Sequence, residues 1–156
     1  MTHPGTHPGL RITSGTTDAE IATARKLREQ VFIVEQNVPA EIEWDGKDAE
    51  AHHLLAWLDG KPVGTLRWRN LGDAGKIERV CVLSQTRGVG AGVAMMDQVL
   101  ADLRATAGIE TAKLSAQVSV IAFYERLGFT AYGPIYDDAG IPHRDMTLPL
   151  AEKPSP

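Results

Sequence analysis

Residues Ser84–Met96 read SQTRGVGAGVAMM, and Gly88, Gly90 and Gly92 alternate in this stretch just before an apolar helical run. Because glycine has no Cβ, a ligand can approach this backbone closely and the chain can adopt positive φ angles. The N–H groups at the start of a helix also face outward, beside the positive end of the helix dipole. The stretch therefore predicts a binding site for an anionic group such as a phosphate.

Two common phosphate-binding motifs do not fit this stretch. A P-loop needs Lys followed by Ser or Thr after its glycines, and no such pair follows here. The dinucleotide fingerprint GxGxxG, read from Gly88, has Val93 in its sixth position, and an antiparallel hairpin precedes it instead of a βαβ unit. A tight turn from a strand into a helix could use the same glycines without a ligand, so this explanation stays open.

The flanking sequence predicts alternating helices and strands. Thr17 and Glu20 form a capping box that begins the first helix, whose apolar residues recur at helical spacing up to Val34, before Asn37 and Pro39 end it. Strands are predicted for HHLLAWL, VGTLRWR, KIERVCVL, TAKLSAQ, FTAYGPIY and HRDMTLPL, and helices from about Gly88 to Ala107 and over SVIAFYERL. The first two strands form a hairpin through residues 59–62. This order predicts an α/β or α+β fold with a mixed sheet and helices on both faces.

Length and composition restrict the class of protein. The 156 residues fit one domain, expected over residues 10–150 between a disordered tail of residues 1–9 and a C-terminal tail of residues 151–156. The net charge of −4, without a basic block, disfavours nucleic acid as a partner. No apolar run is long enough for a membrane span or a secretion signal, and Cys81 is the only cysteine. We therefore expect a cytoplasmic protein without a membrane partner.

Two spaced motifs resemble one known family. Gln85–Gly90 matches the pattern Q/R-x-x-G-x-G/A, and Phe123–Phe129 reads FYERLGF. In this order they resemble the acetyl-CoA-binding motif and the downstream helix of the GNAT superfamily of N-acetyltransferases. Together with LREQVFIVEQNVP at Leu27–Pro39 and GIPHRDM at Gly140–Met146, the resemblance covers nearly all of residues 10–150 and is to the ElaA-like subgroup.

The resemblance implies a fold, a donor and a set of donor contacts. The fold is that of the GNAT acyl-CoA N-acyltransferases, with a mixed, mostly antiparallel central sheet and a V-shaped splay between the fourth and fifth strands. Acetyl-CoA is the implied acetyl donor, without a metal, in direct transfer to a primary amine of a small molecule or protein. The implied cofactor-binding residues are Val80, Cys81, Val82, Gln85, Arg87, Gly88, Val89, Gly90, Ala91, Gly92, Gln117 and Tyr124. Many members have Asn where this chain has Gln117, and Gln can make the same kinds of hydrogen bond.

The same resemblance implies catalytic roles. Tyr124 occupies the position of a general acid that protonates the departing thiolate, although an aromatic residue on a short amphipathic helix is otherwise a core residue. Glu78 is a candidate general base, and a chain of water molecules is the alternative. Strand alternation places Glu78, Val80 and Val82 on one face of their strand and Arg79 on the other.

Acceptor contacts are expected at Phe32, Glu35 and His143, which lie in segments shared with the ElaA-like subgroup. The acidic stretch Glu41–Glu50 could attract a cationic amine or could simply be solvated. An acyl-cysteine on Cys81 is disfavoured because no histidine lies at a motif spacing to activate the thiol. His52 and His53 point to opposite sheet faces and cannot easily share a metal.

Other functions remain compatible with these residues. A non-catalytic acyl-CoA-binding regulatory module would keep the glycines without turnover. The segment REQVFIVEQ also resembles acyl-homoserine-lactone synthases, which share the fold, and an interaction domain would bind no coenzyme A at all. The motifs identify no specific acceptor, and both a monomer and a homodimer fit the sequence.

Overall fold

The computed structural model describes residues 7–150, so the predicted C-terminal tail and residues 1–6 of the predicted N-terminal tail lie outside the described residues. The chain divides into two compact units, which are described separately. Unit 1 contains the residues up to Arg69 and the segment Glu78–Val99, and unit 2 contains Asn70–Ile77 and the residues from Leu100 onward.

Unit 1 carries the strands β1 to β3 and the end of β4. Its elements are β1 (Leu10–Gly15), α1 (Asp18–Arg28), a π-helical segment (Glu29–Glu35), α2 (Ala40–Glu43), a 3-10 turn (Asp48–Glu50), β2 (His52–Leu58), β3 (Lys61–Asn70), the second half of β4 (Ala74–Val82), a further 3-10 turn (Ser84–Thr86) and the first part of α3 (Ala91–Arg104). The strand order is β1-β2-β3-β4, and the β1–β2 and β2–β3 pairs are antiparallel.

The predicted β2–β3 hairpin is confirmed, with a shorter turn than expected. Asp59 and Gly60 both have positive φ angles, 50° and 82°, as in the type I′ turn that suits a two-residue hairpin loop. Lys61 and Pro62, which the sequence suggests for the turn, are instead the first residues of β3.

Strand β1 is not predicted from the sequence. It pairs with β2 from Leu10 opposite Leu58 to Gly15 opposite His53. Its sequence LRITSG has two large apolar side chains, Leu10 and Ile12, which is too few for a strand pattern to stand out. The strand forms because β2 offers a free edge to pair with.

The predicted capping box of α1 is confirmed. The Thr17 hydroxyl accepts a hydrogen bond from the Glu20 N–H at 3.1 Å, and the Glu20 carboxylate accepts one from the Thr17 N–H at 3.0 Å. The single helix predicted up to Val34 is α-helical only to Arg28 and continues as the π-helical segment. Such wide turns are uncommon and are frequently found at functional sites.

Helix α3 starts at Ala91 and not at the predicted Gly88. Gly88 and Gly90 have φ angles of 97° and 89°, which a right-handed helix cannot contain. The helix ends at Arg104, earlier than the predicted Ala107, and Gly108 with a φ of 85° follows.

Unit 2 has the strand order β4-β5-β7-β6. Its other elements are β5 (Thr111–Gln117), a 3-10 turn (Val118–Val120), α4 (Ile121–Arg126), β6 (Thr130–Asp138) and β7 (Ile141–Pro149). Strands β4 and β5 are parallel, whereas β5–β7 and β6–β7 are antiparallel, so the predicted mixed sheet is confirmed. The parallel register runs from Ala74 opposite Thr111 to Ile77 opposite Leu114.

Candidate active site

The glycine stretch forms a loop that ends in the first turn of α3. The Gly90 carbonyl accepts the first helical hydrogen bond, from the Ala94 N–H at 3.0 Å. The N–H groups of the first turn after Gly90 therefore have no carbonyl partner inside the helix. A Cβ at Gly88 would meet no atom within 4 Å, so the space beside this loop is open. Backbone amides with open space beside a positive helix end suit a diphosphate.

Arg87 adds a cation to this loop and is held by Glu35. Its guanidinium donates from Nη1 to Glu35 Oε2 at 2.7 Å and from Nη2 to Oε1 at 2.8 Å. Arg87 Nε also donates to the Val82 carbonyl at 3.1 Å. The hydrogen bond from Arg87 lowers the pKa of Glu35, which is therefore ionised at neutral pH. One expected cofactor residue and one expected acceptor residue are thus in direct contact.

A cavity of about 300 Å³ lies in unit 1 between the π-helical segment and the 3-10 turn after β4. Val34, Glu35 and Gln85 are among the residues that line it. Phe32, the other acceptor candidate on this segment, packs against the hydrophobic cluster around Val31 instead. Glu35 and Gln85 therefore lie together at the cavity, whereas Phe32 packs in the core that supports the π-helical segment.

Cys81 is part of the buried core and not of an exposed site. Its side chain belongs to the hydrophobic cluster of α1 and β2, and only 5% of the residue is exposed. Burial raises the pKa of the Cys81 thiol to about 12. The thiol is protonated at neutral pH, which makes it a poor nucleophile.

The Glu78 carboxylate is bound by two arginines. Glu78 Oε2 accepts from Arg67 Nη2 at 2.6 Å, and Oε1 accepts from Arg69 Nε at 2.6 Å. Burial alone would raise the pKa of Glu78, but the hydrogen bonds and charges of these arginines lower it below its usual value. A carboxylate held in this way has little tendency to take a proton, which argues against Glu78 as the general base.

Glu78 belongs to a larger group of charges in unit 1, named here the buried charge cluster. Its members are Arg25, Arg28, Glu43, Asp45, Asp48, Arg67, Arg69, Glu78 and Arg79. Arg28 and Arg67 are 1% and 0% exposed, and Arg67 bonds to Asp45, Asp48 and Glu78 together. The sequence gives no direct signal of this cluster, because its members come from four separate stretches of the chain, residues 25–28, 43–48, 67–69 and 78–79.

The cluster corrects two expectations. Three carboxylates of the acidic stretch, Glu43, Asp45 and Asp48, pair with arginines, so they are neither simply solvated nor available to attract a cationic amine. Arg79 does not point away from Glu78 and its partners, since it donates to Glu43 at 3.0 Å and reaches Asp45. The reason is its φ of 56°, which interrupts the alternation of side chains along β4.

Unit 2 holds the remaining candidates. Tyr124 is 7% exposed, with the rings of Phe123 and Phe129 packed edge-on at centroid distances of 5.0 and 6.0 Å. His143 lies opposite Gln117 in the β5–β7 register, so these two expected site residues are neighbours. The His143 ring also stacks on Tyr136 at a centroid distance of 6.2 Å.

One polar group of unit 2 was not anticipated from the sequence. Tyr136 OH donates to Asp145 Oδ1 at 2.6 Å and is also hydrogen-bonded to the Ser115 hydroxyl. Ser115 lies opposite Asp145 in the β5–β7 register. The β5–β7 and β6–β7 pairings together bring the three residues close, and a strand pattern does not reveal the register between distant strands.

The comparison with known proteins identifies the family. The family model described as an acetyltransferase (GNAT) domain matches residues 16–150 of this chain. The chain belongs to this family. Uncharacterized N-acetyltransferase YjcF of Bacillus subtilis strain 168 is 38% identical to it over 138 residues, which cover 88% of this chain and 98% of that protein.

Solved GNAT-fold structures agree with this assignment. An acyl-CoA N-acyltransferase from Pseudomonas aeruginosa is 33% identical and superposes with a TM-score of 0.79, covering 88% of this chain and 98% of that one. Escherichia coli ElaA is 26% identical, with the same TM-score and the same coverage of both chains. The resemblance to GNAT enzymes and their fold is therefore confirmed. As a GNAT protein the chain is an acyltransferase that uses an acyl-CoA and an acceptor substrate.

Within residues 7–150 of this GNAT protein, no helix combines the length and the apolar character that a membrane crossing requires. No group of three or more His, Cys, Asp or Glu side chains in the same range is arranged to hold a metal ion.

Proposed function

We propose that the protein is an N-acetyltransferase that transfers an acetyl group from acetyl-CoA directly to a primary amine, within a ternary complex in the cytoplasm. Membership of the GNAT family supports transfer from an acyl-CoA. The acetyl group and the amine acceptor, on a small molecule or a protein, are the further parts of the proposal. The glycine loop at the start of α3, with Arg87 beside it, is the observation that carries it.

The donor is held by backbone groups more than by side chains. The amides of residues 88–92 and the Arg87 guanidinium bind the diphosphate. The strand backbone of Val80, Cys81 and Val82 orients the pantetheine arm as an added strand would, and Gln117 supplies a further hydrogen bond. The Val82 carbonyl already accepts a bond from Arg87 Nε, which ties this strand end to the glycine loop.

In the reaction, a C–N bond forms between the amine and the acetyl carbon as the C–S bond of the thioester breaks. Tyr124 donates its phenolic proton to the departing thiolate and is reprotonated from water after the transfer. The proton lost by the amine leaves through water, because Glu78 is occupied by Arg67 and Arg69 and has a lowered pKa.

We assign the acceptor side to Glu35 and His143, with Phe32 supporting the segment that carries Glu35. Glu35 lines the cavity of unit 1, where its carboxylate oxygens, which also accept from Arg87, can accept a hydrogen bond from an acceptor amine. His143 is half-buried beside Gln117 and Tyr136, where its ring can contact an acceptor.

The test combines binding and turnover. Calorimetry with coenzyme A and ADP measures the donor site, and release of free thiol from acetyl-CoA is followed with a panel of primary amines. We expect binding of both nucleotides and thiol release with at least one amine. Binding without thiol release for any amine or protein extract would favour a non-catalytic module, and turnover restricted to long acyl chains would favour a synthase-like enzyme. Absence of coenzyme A binding would overturn the proposal.

A further inference from the structure

Residues His7–Leu10 form a turn before β1, named here the N-terminal turn. The Leu10 N–H donates to the His7 carbonyl at 3.0 Å, and the Gly9 N–H donates to His7 Nδ1 at 2.9 Å. Residues 7–9, which the sequence assigns to a disordered tail, are therefore ordered by their own Pro-Gly turn chemistry.

The N-terminal turn is fixed to the β2–β3 hairpin. The Asp59 N–H donates to the Gly9 carbonyl at 3.1 Å. A Cβ at residue 9 would collide with the Asp59 carboxylate, so a larger residue there would force this side chain to move. Strand β1 continues directly from the turn, with Leu10 opposite Leu58. The position of His7 is thus set by a hairpin and a strand.

From this position the turn reaches the glycine loop. The His7 N–H donates to the Val89 carbonyl at 3.0 Å. The peptide between Val89 and Gly90 is trans, so its carbonyl and its N–H point in opposite directions. A carbonyl held toward His7 therefore directs the Gly90 N–H away from the N-terminal turn.

The loop itself fixes this peptide only weakly. Gly88 and Gly90, on either side of Val89, both have positive φ angles, and glycine adopts positive and negative φ with similar ease. An external hydrogen bond is then decisive for which side of the peptide faces a ligand. The hydrogen bond from the His7 N–H to the Val89 carbonyl is such an external contact.

We propose that His7 is a positioning residue for the donor diphosphate: its backbone N–H holds the Val89–Gly90 peptide so that the Gly90 N–H faces the bound anion. This inference rests on the proposed function, since it concerns the same loop. It assigns the role to the backbone of His7 and not to its imidazole, and it gives the segment before β1 a part in donor binding.

The backbone claim allows a matched pair of variants. His7→Pro removes the N–H donor, whereas His7→Ala keeps the donor and removes the imidazole. A chain that starts at Pro8 lacks the donor without introducing a new proline. For His7→Pro and the shortened chain, we expect the Kd for coenzyme A, 3′-dephospho-coenzyme A and ADP to rise by about threefold to tenfold, the effect of one hydrogen bond. His7→Ala also loses the imidazole acceptor of the Gly9 N–H, so its Kd should rise, but by clearly less than in the two variants without the donor.

Enzyme kinetics and thermal unfolding distinguish a positioning role of His7 from a purely structural one. With the amine that gives the fastest thiol release, KM for acetyl-CoA should rise in His7→Pro by the same factor while kcat stays unchanged. A purely structural role would instead lower Tm without this split between KM and kcat, and that result would overturn the inference.

The possible failures are distinguishable. If the parent protein binds no coenzyme A, the proposed function fails. If the parent binds and the two donor-lacking variants bind equally well, only the role of His7 fails. An equal loss in His7→Ala, or a loss confined to coenzyme A and absent for the 3′-dephospho form, would also overturn the backbone role.

Discussion

Arg87 and Glu35 are joined by two parallel hydrogen bonds although they lie 52 positions apart in the sequence. Arg87 belongs to the donor motif and Glu35 to the segment expected to contact the acceptor. The side chains are 46% and 39% exposed, so the pair contributes only about 0–1 kcal/mol to stability. Its larger effect is on charge, because Glu35 neutralises the cation beside the proposed diphosphate site.

Replacing Glu35 should therefore strengthen donor binding. In Glu35→Gln, we expect coenzyme A to bind about twofold to fivefold more tightly at low salt, because Arg87 keeps its charge without a carboxylate partner. Arg87→Gln should weaken binding, and raising the salt concentration should shrink both effects. Calorimetry at two ionic strengths measures this. Equal weakening in both variants would mean that the ion pair as a unit shapes the loop.

Gly88 should be required for donor binding beyond its effect on stability. Gly88 and Gly72 have φ angles of 97° and 102°, and a Cβ at either would meet no atom within 4 Å. Gly88→Ala and Gly72→Ala should each lower the free energy of unfolding by about 1–2 kcal/mol through backbone strain. Only Gly88→Ala should also raise the Kd for coenzyme A, by about tenfold. Similar affinities in the two variants would remove the glycine loop from the donor site.

Tyr124→Phe tests the general acid. We expect kcat to fall by about 10²-fold with little change in the Kd for coenzyme A, because only the phenolic proton is lost. Tyr132→Phe, at an exposed position on β6, is the control and should keep full activity. Acetyl transfer is followed by thiol release. A kcat equal to that of the parent would exclude the proton transfer from Tyr124.

Arg67→Met should be strongly destabilising. The side chain is 0% exposed and pairs with Asp45, Asp48 and Glu78, each of which would lose one of its arginine partners in a buried environment. We expect the free energy of unfolding in urea to fall by about 3–5 kcal/mol. Lys26→Met, at an exposed position of α1, should change it by less than about 0.5 kcal/mol. A similar small change for Arg67 would show that the carboxylates find other partners.

Stability should decrease as the pH falls below neutrality. Burial lowers the pKa of His53, and arginine partners lower the pKa values of Asp45, Asp48 and Glu78 against the raising effect of burial. Each group therefore binds protons more readily in the unfolded chain than in the folded one. Their contributions are present above the ordinary values, 6.5 for His and 3.8 or 4.5 for Asp and Glu, and are lost as the pH falls through the lowered ones.

Asp45→Asn checks the carboxylate part of this pH dependence. Between about pH 4.5 and pH 2.5, the variant should lose less Tm per pH unit than the parent, because one group with a lowered pKa is gone. Glu41→Gln, exposed in the same acidic stretch, should keep the slope of the parent. Parallel slopes for all three proteins would mean that Asp45 is not preferentially ionised in the folded state.

Local chemistry explains which features could be predicted from the sequence. The capping box of Thr17 and Glu20 and the turn at Asp59 and Gly60 depend on neighbouring residues, and both were predictable. The glycine loop was equally visible, although the positive φ of Gly90 moves the start of α3 to Ala91.

Features that depend on distant segments could not be predicted. Arg67 and Asp48 look like ordinary surface residues until folding places them together in the interior. Arg79 breaks strand alternation through a φ angle that only Gly, Asn or Asp would have suggested. The His7–Val89 bond likewise joins residues whose proximity no local pattern encodes.

The buried charge cluster also limits how this protein can vary. Losing any one arginine or carboxylate removes a charge partner from the remaining members, whereas exchanging the whole set for apolar residues can be neutral or even stabilising. Natural drift and laboratory evolution proceed mainly by single substitutions, and each single step here passes through a destabilised intermediate. Redesign of this interior will therefore require concerted replacement of several members at once, starting with Arg28 and Arg67.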